Sequence, residues 1–150
     1  MANKLFIILG NQLFDPIILK EVGCNRVFMA EDFGLCTYEK HHKLKLYLFL
    51  TAMREYCKEL ESHGIIVDYF PLEGRKKEES YVKLLLNYLH ESKFSSINFF
   101  EIEDKPFEKI VFQELENSKI KHTVHNSPMF LFTRNTLKSS LGDKKLYRMG

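Results

Sequence analysis

Three short stretches of this chain gather residue types that can do chemistry. Gly10-Asn11-Gln12 joins a glycine to two amides, each carrying donors and an acceptor, which suits hydrogen bonding to a heterocycle or a ribityl-like chain. The alternative is a tight turn, allowed by Gly10, whose amides satisfy the local backbone. Glu31-Asp32-Phe33 offers two carboxylates and a ring. The carboxylates can serve as acid or base, can accept hydrogen bonds from a ligand, or can simply favour the positive end of a following helix. Phe33, like Tyr38, either stacks on a bound ring or belongs to the core. His41 and His42 stand beside Lys43 and Lys45. Neighbouring helical residues point about 100° apart, so the histidine pair is poorly placed to grip one ion. Anion binding or contact with a neighbouring domain suits these four residues better. Glu101 and Asp104 form a further acidic turn.

Much else is missing. There is no GxGxxG, no Walker-type phosphate loop and no HExxH. Cys24, Cys36 and Cys57 make no CxxC pair, and their odd number disfavours a closed disulfide framework. Reduced thiols in a cytoplasmic protein are the plain reading. Ser127 has no nucleophile-elbow context, and His63, His90, His122 and His125 form no pattern. No catalytic residue and no metal ligand is assigned.

The stretches are positioned by a regular alternation. Leu5 to Leu9 is continuously apolar and ends at Gly10, as a strand buried on both faces does. Val27–Ala30, Ile65–Phe70 and Ser96–Phe100 repeat the pattern, and Lys121–His125 is a weaker fifth run. Between them the period becomes helical. From Tyr38 to His63 apolar side chains recur at Leu46, Phe49, Leu50, Met53, Cys57 and Leu60, with Gly64 as a stop. Glu79–Glu91 and Lys105–Asn117 are two more helices, Thr133 caps a short last one, and Asp15-Pro16 begins another. Strands alternating with helices predict an α/β, Rossmann-like three-layer sandwich with a five-stranded parallel sheet in the order 3-2-1-4-5. The turns after strands one, two and four then line the crevice at the switch point. The middle of the long helix is apolar nearly all round; the side bearing Leu44, Tyr47 and Leu48 has either a neighbouring helix or a partner outside these residues to cover it.

Size and charge agree with one domain over residues 1–150. Hydrophobic residues make up 45% and charged ones 28%, a globular balance. With 22 basic against 20 acidic residues there is no basic arm for nucleic acid. Arg75-Lys76-Lys77 and Lys144-Lys145 read as solvated surface. No apolar run approaches the roughly 20 residues that span a bilayer.

The motifs also carry a resemblance. Leu9-Gly10-Asn11-Gln12-Leu13, Ala30-Glu31, Tyr38-Glu39-Lys40-His41-His42-Lys43-Leu44-Lys45 and Thr51-Ala52-Met53-Arg54 occur in the order and at the separations of the deoxyribodipyrimidine photolyase-related proteins, the group of iron–sulfur bacterial cryptochromes and six-four photolyases. Phe130-Leu131, Thr133-Arg134 and Lys145-Leu146-Tyr147-Arg148-Met149 are similar to the stretch where that family's antenna domain runs into its linker. The resemblance implies an N-terminal light-harvesting domain of a DNA repair or photoreceptor flavoprotein, without catalysis of its own. Its cofactor would be 6,7-dimethyl-8-ribityllumazine. FAD and an iron–sulfur cluster would belong to a helical C-terminal half absent from these residues, and DNA would be met only by the full-length protein. The pocket would be lined by Gly10, Asn11, Gln12, Glu31, Asp32, Phe33 and Leu35, with His41, His42 and Lys45 at its border or at the domain interface. Two positions depart from the family pattern: Asn11 and Leu35 stand where acidic residues are usual. Leu35 is what a chromophore-free docking domain would have. A stand-alone nucleotide-binding domain is a further alternative, against which the missing phosphate loop counts.

Overall fold

The computed structural model describes residues 4–92, 94 and 96–142, the side chain of Leu35 apart. Five parallel strands, β1 (Lys4–Ile7), β2 (Arg26–Ala30), β3 (Ile66–Phe70), β4 (Ser96–Phe100) and β5 (His122–His125), form one sheet in the order β3-β2-β1-β4-β5. This is the expected order. β1 lies at the centre, pairing with β2 through Phe6 and Val27 and with β4 through Phe6 and Asn98. The chain winds outward from β1 to β3, then returns to the other side of β1 as β4, so the switch point falls between β1 and β4.

Alternate residues of each strand point to opposite faces, and both faces are covered. On one side Phe6, Ile8, Val27 and Met29 pack with Leu19 of α1 (Pro16–Glu21) and with Met53, Tyr56 and Leu60 of α3 (Lys43–Ser62). On the other side Leu5, Ile7, Phe28 and Phe99 meet Leu85 and Leu89 of α4 (Tyr81–Ser92) and Val111 and Leu115 of α5 (Lys105–Asn117). Strands buried on both faces read as continuous apolar runs, which is why they were legible. α6 (Arg134–Leu141) follows Thr133, whose hydroxyl accepts from the Thr136 amide, as expected of its cap.

The long helix differs from expectation. A separate turn, α2 (Phe33–Thr37), precedes it, and α3 itself starts only at Lys43. His42 has an extended backbone, and its Nδ1 accepts from the Leu44 amide at 3.2 Å, so the imidazole ends the helix there. His41 and His42 therefore precede the helix. The outer side of α3 is uncovered: Leu44, Tyr47 and Leu48 are 64%, 71% and 69% exposed. The Arg75 cluster is also corrected. Lys76 and Lys77 are solvated, but the Arg75 side chain is only 10% exposed, held by Glu79 and by the Glu31 carbonyl. Lys144 and Lys145, and the motif that ends in Met149, lie outside the described residues. No helix among the described residues is long and apolar enough to cross a membrane.

Candidate functional site

At the carboxyl edge of the sheet the turns after β1, β2 and β4 meet around a cavity of about 280 Å³. Leu9, Gly10 and Asn11 come from the first turn, Ala30 and Asp32 from the second, and Ile102, Glu103 and Asp104 from the third. The start of α3 closes one side with Leu46, Phe49, Leu50 and Met53, and His41 and Lys45 also line the cavity. Tyr81 of α4 and Phe107 of α5 complete the wall. The lining is mostly apolar with a few convergent polar groups, the usual make-up of a small-molecule site.

The β1 and β4 turns are tied together by side-chain amides. Gln12 is 1% exposed and donates through Nε2 to the Glu101 carbonyl at 2.9 Å and to the Glu103 carboxylate at 3.3 Å. Asn11 Nδ2 donates to the same carboxylate at 3.1 Å, and Ser127 Oγ donates to it at 3.3 Å. Asp104 Oδ1 caps α5 by accepting from the Phe107 amide at 3.0 Å.

Behind the cavity lies a clasp centred on Glu31, which is 0% exposed. Arg54 of α3 donates to its two oxygens at 2.6 and 3.0 Å. The Tyr69 hydroxyl and the Leu72 amide add bonds of 2.7 and 2.9 Å. Arg54 Nη2 also reaches Glu73 at 2.9 Å. Burial by itself would push the Glu31 carboxyl up, but these donors outweigh it and hold the group below the usual carboxylate range. Cys36 lines the cavity as a protonated thiol; burial first, then the Asp32 and Glu31 carboxylates, push it up.

The matching family model is that of the deoxyribodipyrimidine photo-lyase-related protein, over residues 6–150. The chain belongs to this family. No curated protein matches it. In this photolyase-related chain, five of the ten residues singled out from sequence line the cavity: Gly10, Asn11, Asp32, His41 and Lys45. Gln12 braces the turns from within, and Glu31 is the centre of the clasp. His42 caps α3. Phe33 opens α2, and Leu35 lies in the same turn with its side chain outside the described residues. Among the described residues no group of three or more His, Cys, Asp or Glu side chains is arranged to hold a metal.

Several lining residues were not singled out. Phe49 and Met53 share the period that packs α3 on the sheet, so nothing in the pattern separates wall from core. Glu103 stands between the two acidic residues noted after β4. Tyr81 repeats with Leu85 and Leu89 at i, i+4 and i+8, a signal that could have placed it on the buried face of α4.

Tyr81 has a further property. It is 3% exposed, and its hydroxyl has no hydrogen-bond partner among the described residues. Burial, together with the nearby Asp32 carboxylate, raises the phenol well above its ordinary value, so it remains a donor. An unsatisfied buried donor is costly. Tyr81→Phe is therefore expected to stabilise the ligand-free chain by about 1 kcal/mol. Thermal denaturation checks this; a lower melting temperature would mean that the hydroxyl already has a partner.

Proposed function

We propose that this chain is the light-harvesting domain of a cytoplasmic photolyase- or cryptochrome-related flavoprotein, and that the switch-point cavity holds a ribityllumazine-type chromophore. Once bound, that chromophore would absorb light and pass the excitation by dipole coupling to the FAD of a C-terminal half that also carries the iron–sulfur cluster. The chain's own residues make and break no bond in this reading. Their task is to seat a ring rigidly and to keep water from it.

The observation that carries the reading is the cavity at the meeting point of the β1, β2 and β4 turns in a chain of this family. Its residues fit the group. The volume of about 280 Å³ lies just below the range of small-molecule sites, which starts at about 300 Å³. Phe49, Met53 and Phe107 supply flat or adaptable apolar surface for a bicyclic ring. Asp32 and Glu103 are acceptors for a polyol chain, and the unpaired Tyr81 hydroxyl is a donor for a ring carbonyl.

The test is direct. Adding 6,7-dimethyl-8-ribityllumazine to the purified chain is expected to give a shifted absorption band that saturates. Flat difference spectra at high ligand would remove the chromophore from the proposal.

One observation favours a second reading, a docking domain without a chromophore. The uncovered Leu44, Tyr47 and Leu48 form an apolar strip suited to a partner, and the C-terminal half of the same protein is the partner this reading assigns. DNA would be met only through that half. A full-length protein that repairs DNA with an empty N-terminal cavity would favour docking alone.

A further inference from the structure

The helix that walls the cavity begins on a titratable cap, and we infer that this cap makes the wall responsive to pH: a neutral His42 ring holds the first turn of α3, and a protonated one releases it. His42 has an extended backbone, and its Nδ1 accepts from the Leu44 amide at 3.2 Å. A ring nitrogen accepts only while it carries no proton, and both nitrogens of an imidazolium are donors. Protonation therefore does two things at once. It takes the acceptor away from the Leu44 amide, and it sets a cation at the positive end of a 20-residue helix. Asn, Ser and Thr, which usually fill this position, do neither over the range of roughly pH 5 to 8 in which histidine titrates.

The surroundings sharpen the second effect. The first turn of α3 has no acidic residue and carries Lys43 and Lys45, so a protonated His42 adds to cations already at that end. His41 has a different contact. Its Nδ1 lies 3.5 Å from Lys45 Nζ, and because an ammonium only donates, the ring accepts from a side chain there. From the other elements, the carboxylates that face the start of α3 across the cavity are Asp32, Glu103 and Asp104. Glu103 receives bonds from Asn11, Gln12 and Ser127, and Asp104 receives one from the Phe107 amide. His41 and Lys45 line that cavity with them, whereas His42 is exposed beside it.

The start of α3 depends on its cap because little else holds it. Met53, Tyr56 and Leu60 are buried against the sheet, but Leu44, Tyr47 and Leu48 are exposed. A helix end with few buried contacts frays first. The residues next to it, Lys45, Leu46 and Phe49, belong to the cavity wall, so fraying there reaches the site. The switch at the helix stands apart from the chromophore reading; its effect on binding rests on that reading.

Solution NMR of the full chain separates the two. The Leu44 amide and the His42 ring are followed from mildly alkaline to mildly acidic pH. In the parent the Leu44 amide proton is expected to move upfield with the same midpoint as the His42 ring. His42→Asn, a cap that does not titrate in this range, should keep the Leu44 amide in place, while His41→Gln should leave the movement as it is in the parent. A Leu44 amide that stays still as His42 titrates, or that still moves in His42→Asn, overturns the switch. 6,7-Dimethyl-8-ribityllumazine is then titrated at both ends of the range. The parent is expected to bind it more weakly at the acidic end, by up to about fivefold, the worth of one average cap. His42→Asn should show no such loss, which also controls for ionisation of the ligand. Equal binding by the parent at both ends, with the amide moving, overturns the link to the cavity. Binding at neither end removes the chromophore reading, and the Leu44 signal still decides the switch.

Discussion

Arg54→Ala is expected to destabilise the folded chain by about 2–3 kcal/mol and to shift its acid unfolding to higher pH. Removing one partner of a fully buried ion pair costs about 3–5 kcal/mol, because the remaining charge stays buried. The figure here is smaller for two reasons. The Arg54 side chain is 43% exposed, and Glu31 keeps the Tyr69 hydroxyl and the Leu72 amide. The sign of the pH effect follows from the lowered Glu31 carboxyl. A group whose native pKa lies below its unfolded one gives stability above the ordinary carboxylate range and loses it as pH falls through the native value. Without the guanidinium that native value rises, so the loss begins sooner on acidification. Urea unfolding at neutral and mildly acidic pH measures both effects. The double variant Glu31→Gln/Arg54→Met should be more stable than Arg54→Ala, since no uncompensated charge remains. Equal stability of Arg54→Ala and the parent would show the clasp to be energetically idle.

The clasp also bears on function. Arg54 lies one residue beyond Met53, and it ties the helix that walls the cavity to the end of β2 and to Glu73. Loosening it frees one wall relative to the other. Arg54→Ala should therefore weaken the binding of any chromophore as well as the fold.

The sequence reveals the frame of this site better than its contents. Runs such as Leu5–Leu9 and Val27–Ala30 leave no polar face, so a sheet covered on both sides follows, and with it the edge where the turns meet. The turn α2 was hidden because Phe33-Gly34-Leu35-Cys36-Thr37 is too short for any period and contains a glycine. The late start of α3 was hidden because histidine is outside the usual set of capping residues. Arg75 looked like surface because its neighbours Lys76 and Lys77 are surface; only the fold brings it under the Glu31 carbonyl. The role of Glu31 was open for the same reason: its partners lie 23, 38 and 41 residues away.

Gly10→Val is expected to weaken chromophore binding by about a hundredfold, some 2.7 kcal/mol, while costing about 1–3 kcal/mol of stability from overpacking. The sequence reading gave Gly10 a conformational role, as a turn-former. Its backbone is not in the left-handed region, in contrast to Gly23, Gly64, Gly74 and Gly142. What requires glycine is space. A Cβ at this position would lie 2.7 Å from Met53 Sδ and 2.7 Å from the Phe49 ring. Both side chains line the cavity, so the added methyl groups push its apolar wall out of place. Gly10→Ala should show the same effect in smaller measure. Phe49→Ala in the Gly10→Val background removes the clashing ring and should recover part of the binding, whereas a general folding defect would not be relieved by a second truncation. Titration of 6,7-dimethyl-8-ribityllumazine into the parent and the three variants, read by absorption, separates these outcomes. A Gly10→Val chain that binds as well as the parent would mean that the chromophore sits elsewhere than between the β1 turn and α3.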